Sequence, residues 1–310
     1  MSRASSSHLG LINTSAIAQT PELLGPRSGR VAGARKLLRR SARRDQGLFL
    51  LEGPSAVSAA LEAGLVRELF ATPAAAERHQ SLLALAAAAG VSCRFIADDA
   101  AGALSETVTP QGLIAVAPLP RVSLTEALSA PSRMPGARVV VVLVEARDPG
   151  NAGTVIRTAD AAGADLVVLA GESVDPWSGK CVRASAGSVL HLPIVDGVTP
   201  DEVLAALRDA NCRIVATDGR GTAELYSPAA HEILTGDHAW LFGNEAHGLA
   251  PSLTQTADIS VRVPVYGQAE SLNLAAAAAV CLYESARLSR GGYSSSGYPA
   301  AEQFREGVRG

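Results

Sequence analysis

The sequence predicts an α/β protein in two consecutive parts, a small α/β domain followed by a larger parallel-sheet domain. Three observations carry that expectation. Short apolar runs alternate with helical stretches along most of the chain, as repeated strand–helix units do. The run of valines within residues 138–144 is continuous and β-branched, which suits a strand buried on both faces of a parallel sheet. The length, 310 residues, fits roughly two domains of about 100–200 residues each.

Composition narrows the class. Hydrophobic residues make up 47% of the chain and charged residues 18%, enough apolar material to exclude wholesale disorder. Cys93, Cys181, Cys212 and Cys281 are scattered without a Cys-x-x-Cys pair, so they read as buried thiols, neither a disulfide scaffold nor a zinc site. The balance of 27 basic against 30 acidic residues, net −3, argues against a polycationic coat protein but allows a local basic patch. Only Lys36 and Lys180 are lysines, so 25 of the basic residues are arginines. The first 19 residues lack the unbroken apolar stretch of about 7–15 residues that a secretory signal needs. The longest apolar runs, near residues 82–89 and 274–282, fall short of the roughly 18–20 needed to span a bilayer. A cytoplasmic protein with no membrane contact and no metal is expected.

The elements follow in order. Residues 1–28, rich in Ser, Pro and Gly, read as a flexible tail. From Arg27 to Arg44 there are eight basic residues and no acid. Arg35, Arg39 and Arg43 are spaced i, i+4, i+8, and Lys36, Arg40 and Arg44 repeat that spacing one position on. On one helix the two rows form a single cationic face, suited either to water or to nucleic acid. Strands are expected at residues 48–51, 66–71, 91–96 and 113–118, with helices at 56–63 and 74–89, so that 29–118 forms the first domain. Four prolines between 118 and 135 mark 119–136 as the linker, with a short helix at 124–128. The second domain, 137–288, alternates strands at 138–144, 165–170, 189–194, 212–217, 239–242 and 259–263 with helices at 152–162, 180–184, 203–210 and 274–288. Five or six parallel strands with intervening helices make a doubly wound sheet. Residues 289–310 read as a second flexible tail.

In such sheets ligands bind beyond the carboxyl ends of the strands, and three loops there stand out. Asp148-Pro149-Gly150 is a turn, leading into a helix that Asn151 is placed to cap, with Arg157 six residues on. Together they suit a phosphate or an oxygen nucleophile. Gly243-Asn244-Glu245-Ala246-His247-Gly248 follows an apolar strand and fits neither the dinucleotide fingerprint nor a phosphate loop. In the third, Val263-Pro264 ends a strand, and Ser271-Leu272-Asn273 enters the last helix, with Ser271 a candidate cap.

In this order and spacing the motifs Asn151–Ala159, Leu241–Leu249 and Val263–Leu274 resemble those of the SpoU/TrmH branch of the SPOUT RNA methyltransferases. Residues 180–187, Lys-Cys-Val-Arg-Ala-Ser-Ala-Gly, resemble the family's lysine/arginine–serine–glycine segment. Arg35–Leu38, Phe49–Gly53 and the helix after them carry a weaker likeness to the substrate-binding domain of many members, itself similar to a small ribosomal protein. The resemblance implies a parallel-sheet catalytic domain with a C-terminal deep trefoil knot, working as a homodimer packed through the knot, the partner subunit helping to complete the site. It implies S-adenosylmethionine bound at Gly243, Val263 and Leu272, largely through backbone groups, with Thr217 and Asn244 as neighbours. The implied reaction is methyl transfer to a ribose 2′-hydroxyl of RNA.

Within that resemblance Arg157 stands at the reacting hydroxyl. A guanidinium holds its proton to above about pH 12, which favours stabilising a developing alkoxide over acting as a base. Asn151 would position Arg157 or the ribose, Glu245 and Asn273 would organise the pocket, and Ser271 would bond the hydroxyl or a loop amide. Arg35, Lys36, Arg39, Arg40 and Arg43 would grip RNA phosphates. The separate N-terminal domain favours rRNA, specifically 23S rRNA, over tRNA as substrate. Two other classes compete: a nucleotide-binding oxidoreductase, which the glycine pattern does not support, and a non-catalytic RNA-binding protein, which the intact site residues argue against. His191, His231, His238 and His247 lack metal-ligand spacing, and Trp177 and Trp240 read as core or interface.

Overall fold

In the computed structural model, residues 23–289 are described. The expected tails at 1–22 and 290–310 lie outside them. Residues 23–28, placed in the first tail by the sequence, are built into the fold. Leu24 bridges Ile96 at a sheet edge, its N–H donating to the Phe95 carbonyl at 2.9 Å, and the Ser28 hydroxyl caps the first helix.

The N-terminal part runs α1 (Gly29–Arg35), a 3₁₀ turn (Lys36–Leu38), α2 (Arg40–Gln46), β1 (Leu48–Glu52), α3 (Pro54–Glu62), β2 (Glu68–Ala71), α4 (Pro73–Arg78), α5 (Gln80–Ala88), β3 (Cys93–Phe95), α6 (Asp98–Leu104) and β4 (Leu113–Pro118). Its sheet has the order β1-β4-β2-β3, with β4 antiparallel to both neighbours and β2 parallel to β3. The expected single helix at 74–89 is two, broken at His79. The expected cationic helix is also broken. Arg39 is extended, at φ −94° and ψ 134°, so the i, i+4, i+8 rows never share one face.

The connection holds α7 (Leu124–Ser129), started by a capping box between Ser123 and Glu126. The C-terminal part then runs β5 (Val139–Val144), α8 (Pro149–Ala162), β6 (Leu166–Ala170), α9 (Gly179–Ser185), a 3₁₀ turn (Ser188–Leu190), β7 (Ile194–Val198), α10 (Pro200–Asp209), β8 (Arg213–Thr217), β9 (Ala223–Glu224), α11 (Pro228–Leu234), β10 (His238–Phe242), α12 (Pro251–Thr256), β11 (Ile259–Arg262) and α13 (Leu274–Ser289). Seven strands, all parallel, lie in the order β7-β6-β5-β10-β8-β11-β9. The strand expected at 189–194 is displaced: residues 188–190 form the 3₁₀ turn and the strand follows at β7, a sheet-edge strand whose Asp196 and Gly197 hid it. Proline opens α3, α4, α8, α10, α11 and α12, where its missing N–H and fixed φ are harmless.

One apolar core runs from the N-terminal sheet through α8 and α9 to the inner face of β5, β6 and β10. Phe49 of β1 meets Trp177, after β6, edge to face with ring centres 5.2 Å apart. Trp177 and Trp240 are both buried, as the sequence led us to expect.

Candidate active site

The loops leaving β5, β10 and β11 meet at the carboxyl end of the sheet. After β5, Glu145 takes a left-handed conformation at φ 53°, rare for a residue with a side chain. Asp148 caps α8, its Oδ1 accepting from Asn151 N at 2.8 Å, and Lys180 Nζ holds the other Asp148 oxygen at 2.6 Å. The sequence had assigned the cap to Asn151. Asn151 instead occupies the third helical position, which frees its side chain.

After β10, Gly243 is pressed against the returning strand of its own loop. An added Cβ would lie 2.6 Å from the Gly248 carbonyl oxygen and closer still to Gly248 C and Leu249 N. Asn244 organises that loop. It exchanges backbone bonds with Gly248, its Oδ1 accepts from Ala246 N at 2.9 Å, and its Nδ2 donates to the Glu145 carbonyl at 2.8 Å. That last bond ties the second motif to the left-handed residue before the first.

Glu245 extends the tie. Its carboxylate accepts from Arg147 N at 3.1 Å, Asp148 N at 3.2 Å and Asn151 Nδ2 at 3.3 Å. Partial burial works against its charge, but these donors outweigh it and hold the carboxyl below its ordinary value. Asn151 Oδ1 in turn accepts from Asn273 Nδ2 at 3.1 Å. Asn273 Oδ1 accepts from Ala275 N at 2.9 Å, so Asn273, not Ser271, caps α13. Glu245, Asn151 and Asn273 thus form one hydrogen-bonded chain with a residue from each of the three motifs.

The remaining expected site residues sit around this chain. Thr217, at the end of β8, donates to the Leu241 carbonyl at 2.8 Å. Val263 is half-buried, Leu272 is 40% exposed and Ser271 is exposed in the same loop, where Tyr266 is 90% exposed. Arg157 is not drawn in. It lies about 120° around α8 from Asn151, at 3.6 residues per turn. It is exposed, and its side chain makes no hydrogen bond or ion pair among the described residues. It shares its face with Gly150 and Thr154.

The basic stretch divides in two. Arg35, Lys36 and Arg39 are exposed. Arg43, expected on the same surface, is buried at 4% exposure, its Nη2 2.5 Å from Asp175 Oδ2 and its Nη1 donating to the Leu37 carbonyl at 2.7 Å. Arg40 and Arg44 each place Nη2 3.1 Å from Asp196 Oδ2. These arginines join the N-terminal part to the β6 and β7 side of the large sheet. Arg183 of α9 makes a second joint, donating to the buried Glu52 carboxylate at 2.8 Å.

Sequence reasoning missed Asp148, Lys180, Glu52 and Arg183 in these roles. The Asp-Pro-Gly turn was the available signal for Asp148, because Pro149 marks the first helical position and so places the cap before it. His238 is buried between the Gly236 carbonyl and Ser285 Oγ, and burial lowers its pKa and keeps the ring neutral. Burial pushes the Cys181 and Cys212 thiols up to about 12. Among the described residues no cluster of three His, Cys, Asp or Glu side chains suits a metal ion, and no helix is long and apolar enough to cross a membrane.

This arrangement defines a class. Residues 138–283 match the SpoU rRNA Methylase family, and residues 29–115 match an MRM3-like substrate binding domain. The chain belongs to the SpoU rRNA methylase family. It is 34% identical over 250 residues to the 23S rRNA (guanosine(2553)-2′-O)-methyltransferase RlmP of Bacillus subtilis, covering 80% of this chain and 92% of that one. Among solved structures, the SpoU methyltransferase AviRb from Streptomyces viridochromogenes, in complex with the cofactor AdoMet, superimposes with a TM-score of 0.71 at 29% identity, over 84% of this chain and 98% of that one. An AdoMet-bound rRNA methyltransferase from Sinorhizobium meliloti gives 0.70 at 30% identity, over 84% and 95%.

Proposed function

We propose that this protein transfers a methyl group from S-adenosylmethionine to a ribose 2′-hydroxyl of 23S rRNA, in the cytoplasm. The observation that carries the reading is the Glu245–Asn151–Asn273 chain, which binds three separated motifs into one site at the carboxyl end of a parallel sheet. The names of the relatives supply the substrate class. We assign residues 29–118 to an RNA-gripping domain with a ribosomal-protein-like fold, 119–136 to the linker and 137–288 to the catalytic domain.

The residues present fit the cofactor. Gly243, Val263 and Leu272 lie on loops beyond β10 and β11, where Val263 is half-buried and Val265 and Leu272 are exposed. Thr217 and Asn244 hold those loops in place. When bound, S-adenosylmethionine supplies a sulfonium-activated methyl group. With it bound, the 2′-oxygen would take that carbon as the carbon–sulfur bond breaks, the sulfur leaving as a neutral thioether, and the hydroxyl proton would pass to solvent water. Arg157 steadies the developing oxyanion and a neighbouring phosphate, while Ser271 bonds the hydroxyl. Asn151 and Asn273 set the pocket wall, with Glu245 fixing Asn151.

A homodimer completes this site. Within one chain Arg157 stands apart from the Asn151 network, and Tyr226, Val265, Tyr266, Leu272 and Tyr283 leave apolar surface exposed on the C-terminal part. A partner laid on that surface would bring its own Arg157 to the cofactor loops. We also propose that residues 263–289 thread a trefoil knot. The tight passage of Gly221 over β11 supports this, since a Cβ there would lie 2.7 Å from Val261 C and Arg262 N, as does the packing of α13 against α8. The test is a tritiated-methyl assay on 23S rRNA with cofactor calorimetry on the same samples. Arg157→Ala is expected to abolish transfer while leaving the cofactor Kd within about twofold. Near-wild-type turnover would remove Arg157 from the mechanism.

A further inference from the structure

Beside the start of α9, whose Lys180 reaches the first motif at Asp148, stands a loop of the N-terminal part, residues 105–111, between α6 and β4. Its roots are rigid. Ser105 Oγ lies 2.8 Å from both oxygens of the buried Glu52, which Arg183 of α9 also binds, and Thr107 N donates to Ser105 Oγ at 3.0 Å. At the far root Gln111 covers Gly53, where φ is 94° and an added Cβ would lie 2.6 Å from Gln111 Oε1. Between these anchors the tip projects into solvent. Val108 is 100% exposed and Thr109 is exposed beside it. The loop thus presents an uncovered apolar side chain from a bonded base, and loops positioned on a scaffold are where binding residues concentrate.

Its position indicates what. Glu106 Oε2 lies 2.7 Å from the place a Cβ would take on Gly179, the first residue of α9. The next residue, Lys180, bonds the α8 cap Asp148, and its Cε lies 3.4 Å from the corresponding point on Gly150. Gly150, Thr154 and the free Arg157 continue along the same face of α8. From the loop tip the surface therefore runs past a half-exposed lysine to the arginine proposed to act in transfer. We propose that residues 105–111 form a second wall of the RNA path. Val108, with Thr107 and Thr109, packs on an unstacked nucleotide next to the target, and Lys180 takes a phosphate between the two. Single-stranded RNA offers splayed bases to apolar side chains and a phosphate at each step, which matches an apolar tip followed by cations. The inference rests on the proposed RNA methyl transfer.

The experiment has two arms. Val108→Asp is expected to lower kcat/KM for RNA by about tenfold, through KM, with cofactor Kd and Tm unchanged because the side chain is fully exposed, while Val108→Ile keeps wild-type values. A benzoylphenylalanine at position 108 is expected to crosslink to 23S rRNA near the methylated nucleotide. A Val108→Asp enzyme within about twofold of wild type, or a crosslink only to a second copy of the protein, overturns the proposal. The crosslink is read without turnover, so a wild-type enzyme that labels no RNA counts against the proposed function and not against this loop.

Discussion

At the scale of single residues, Glu245 is the node on which the site hangs. Its carboxyl is held below its ordinary value, so in acid the unfolded chain takes up a proton there before the folded chain does. Stability from this group is therefore fully present above the unfolded value of about 4.3 and is lost as pH falls through the lower folded value. Glu245→Gln is expected to melt below wild type at neutral pH, with the gap closing under acid. Thermal melts of the two proteins across that window check it, and a gap independent of pH would contradict it. The sequence pointed to Glu245, Asn151 and Asn273 by type and position, but could not show that they bond one another. Those bonds depend on which residue caps α8 and which caps α13, and in both cases the cap lay elsewhere than expected. Asp148 took the place given to Asn151, and Asn273 the place given to Ser271.

Among the elements, α8 and α9 set the geometry. Gly153 lets them approach, since a Cβ there would lie 2.6 Å from Ala184 Cβ and nearer still to the Cys181 carbonyl. Gly153→Ala is expected to cost about 1–3 kcal/mol by overpacking and to tilt α8 away from Glu245, lowering both Tm and methyl transfer. Urea unfolding measures the first effect, and an unchanged midpoint would show that the helices have room. The continuous strands β5, β6 and β10 were legible because burial on both faces leaves no alternation to misread. The edge strand β7, the two-residue β9 and the short helices α6, α11 and α12 were not, because they bury too little apolar surface to leave a period.

Across the whole molecule, the basic stretch divides in a way its spacing could not show: Arg35, Lys36 and Arg39 face solvent, while Arg40, Arg43 and Arg44 pair with acids of the C-terminal part. An even run of arginines predicts one face only if one helix carries it, and extended Arg39 breaks that helix. Acidic partners more than a hundred residues away then claim Arg40, Arg43 and Arg44. Replacing Arg35, Lys36 and Arg39 with Glu is expected to flatten the salt dependence of RNA binding, by roughly one unit of slope per lost phosphate contact, at unchanged Tm. Arg43→Ala is expected instead to lower stability by about 1–3 kcal/mol, because it strips the mostly buried Asp175 of its close partner and leaves only Arg40 Nε at 3.8 Å and the Trp177 N–H. Salt titrations and melts of the two variants distinguish the roles, and a flattened slope without destabilisation in Arg43→Ala would reverse the assignment. The central claim, 2′-O-methyl transfer to 23S rRNA, is tested most directly by mass-spectrometric mapping of unmodified 23S rRNA after incubation with the protein and S-adenosylmethionine. A 2′-O-methylated nucleotide present with the wild-type protein and absent with Arg157→Ala is the predicted result. A methyl group on a base, or no new methyl group on the RNA, would contradict it.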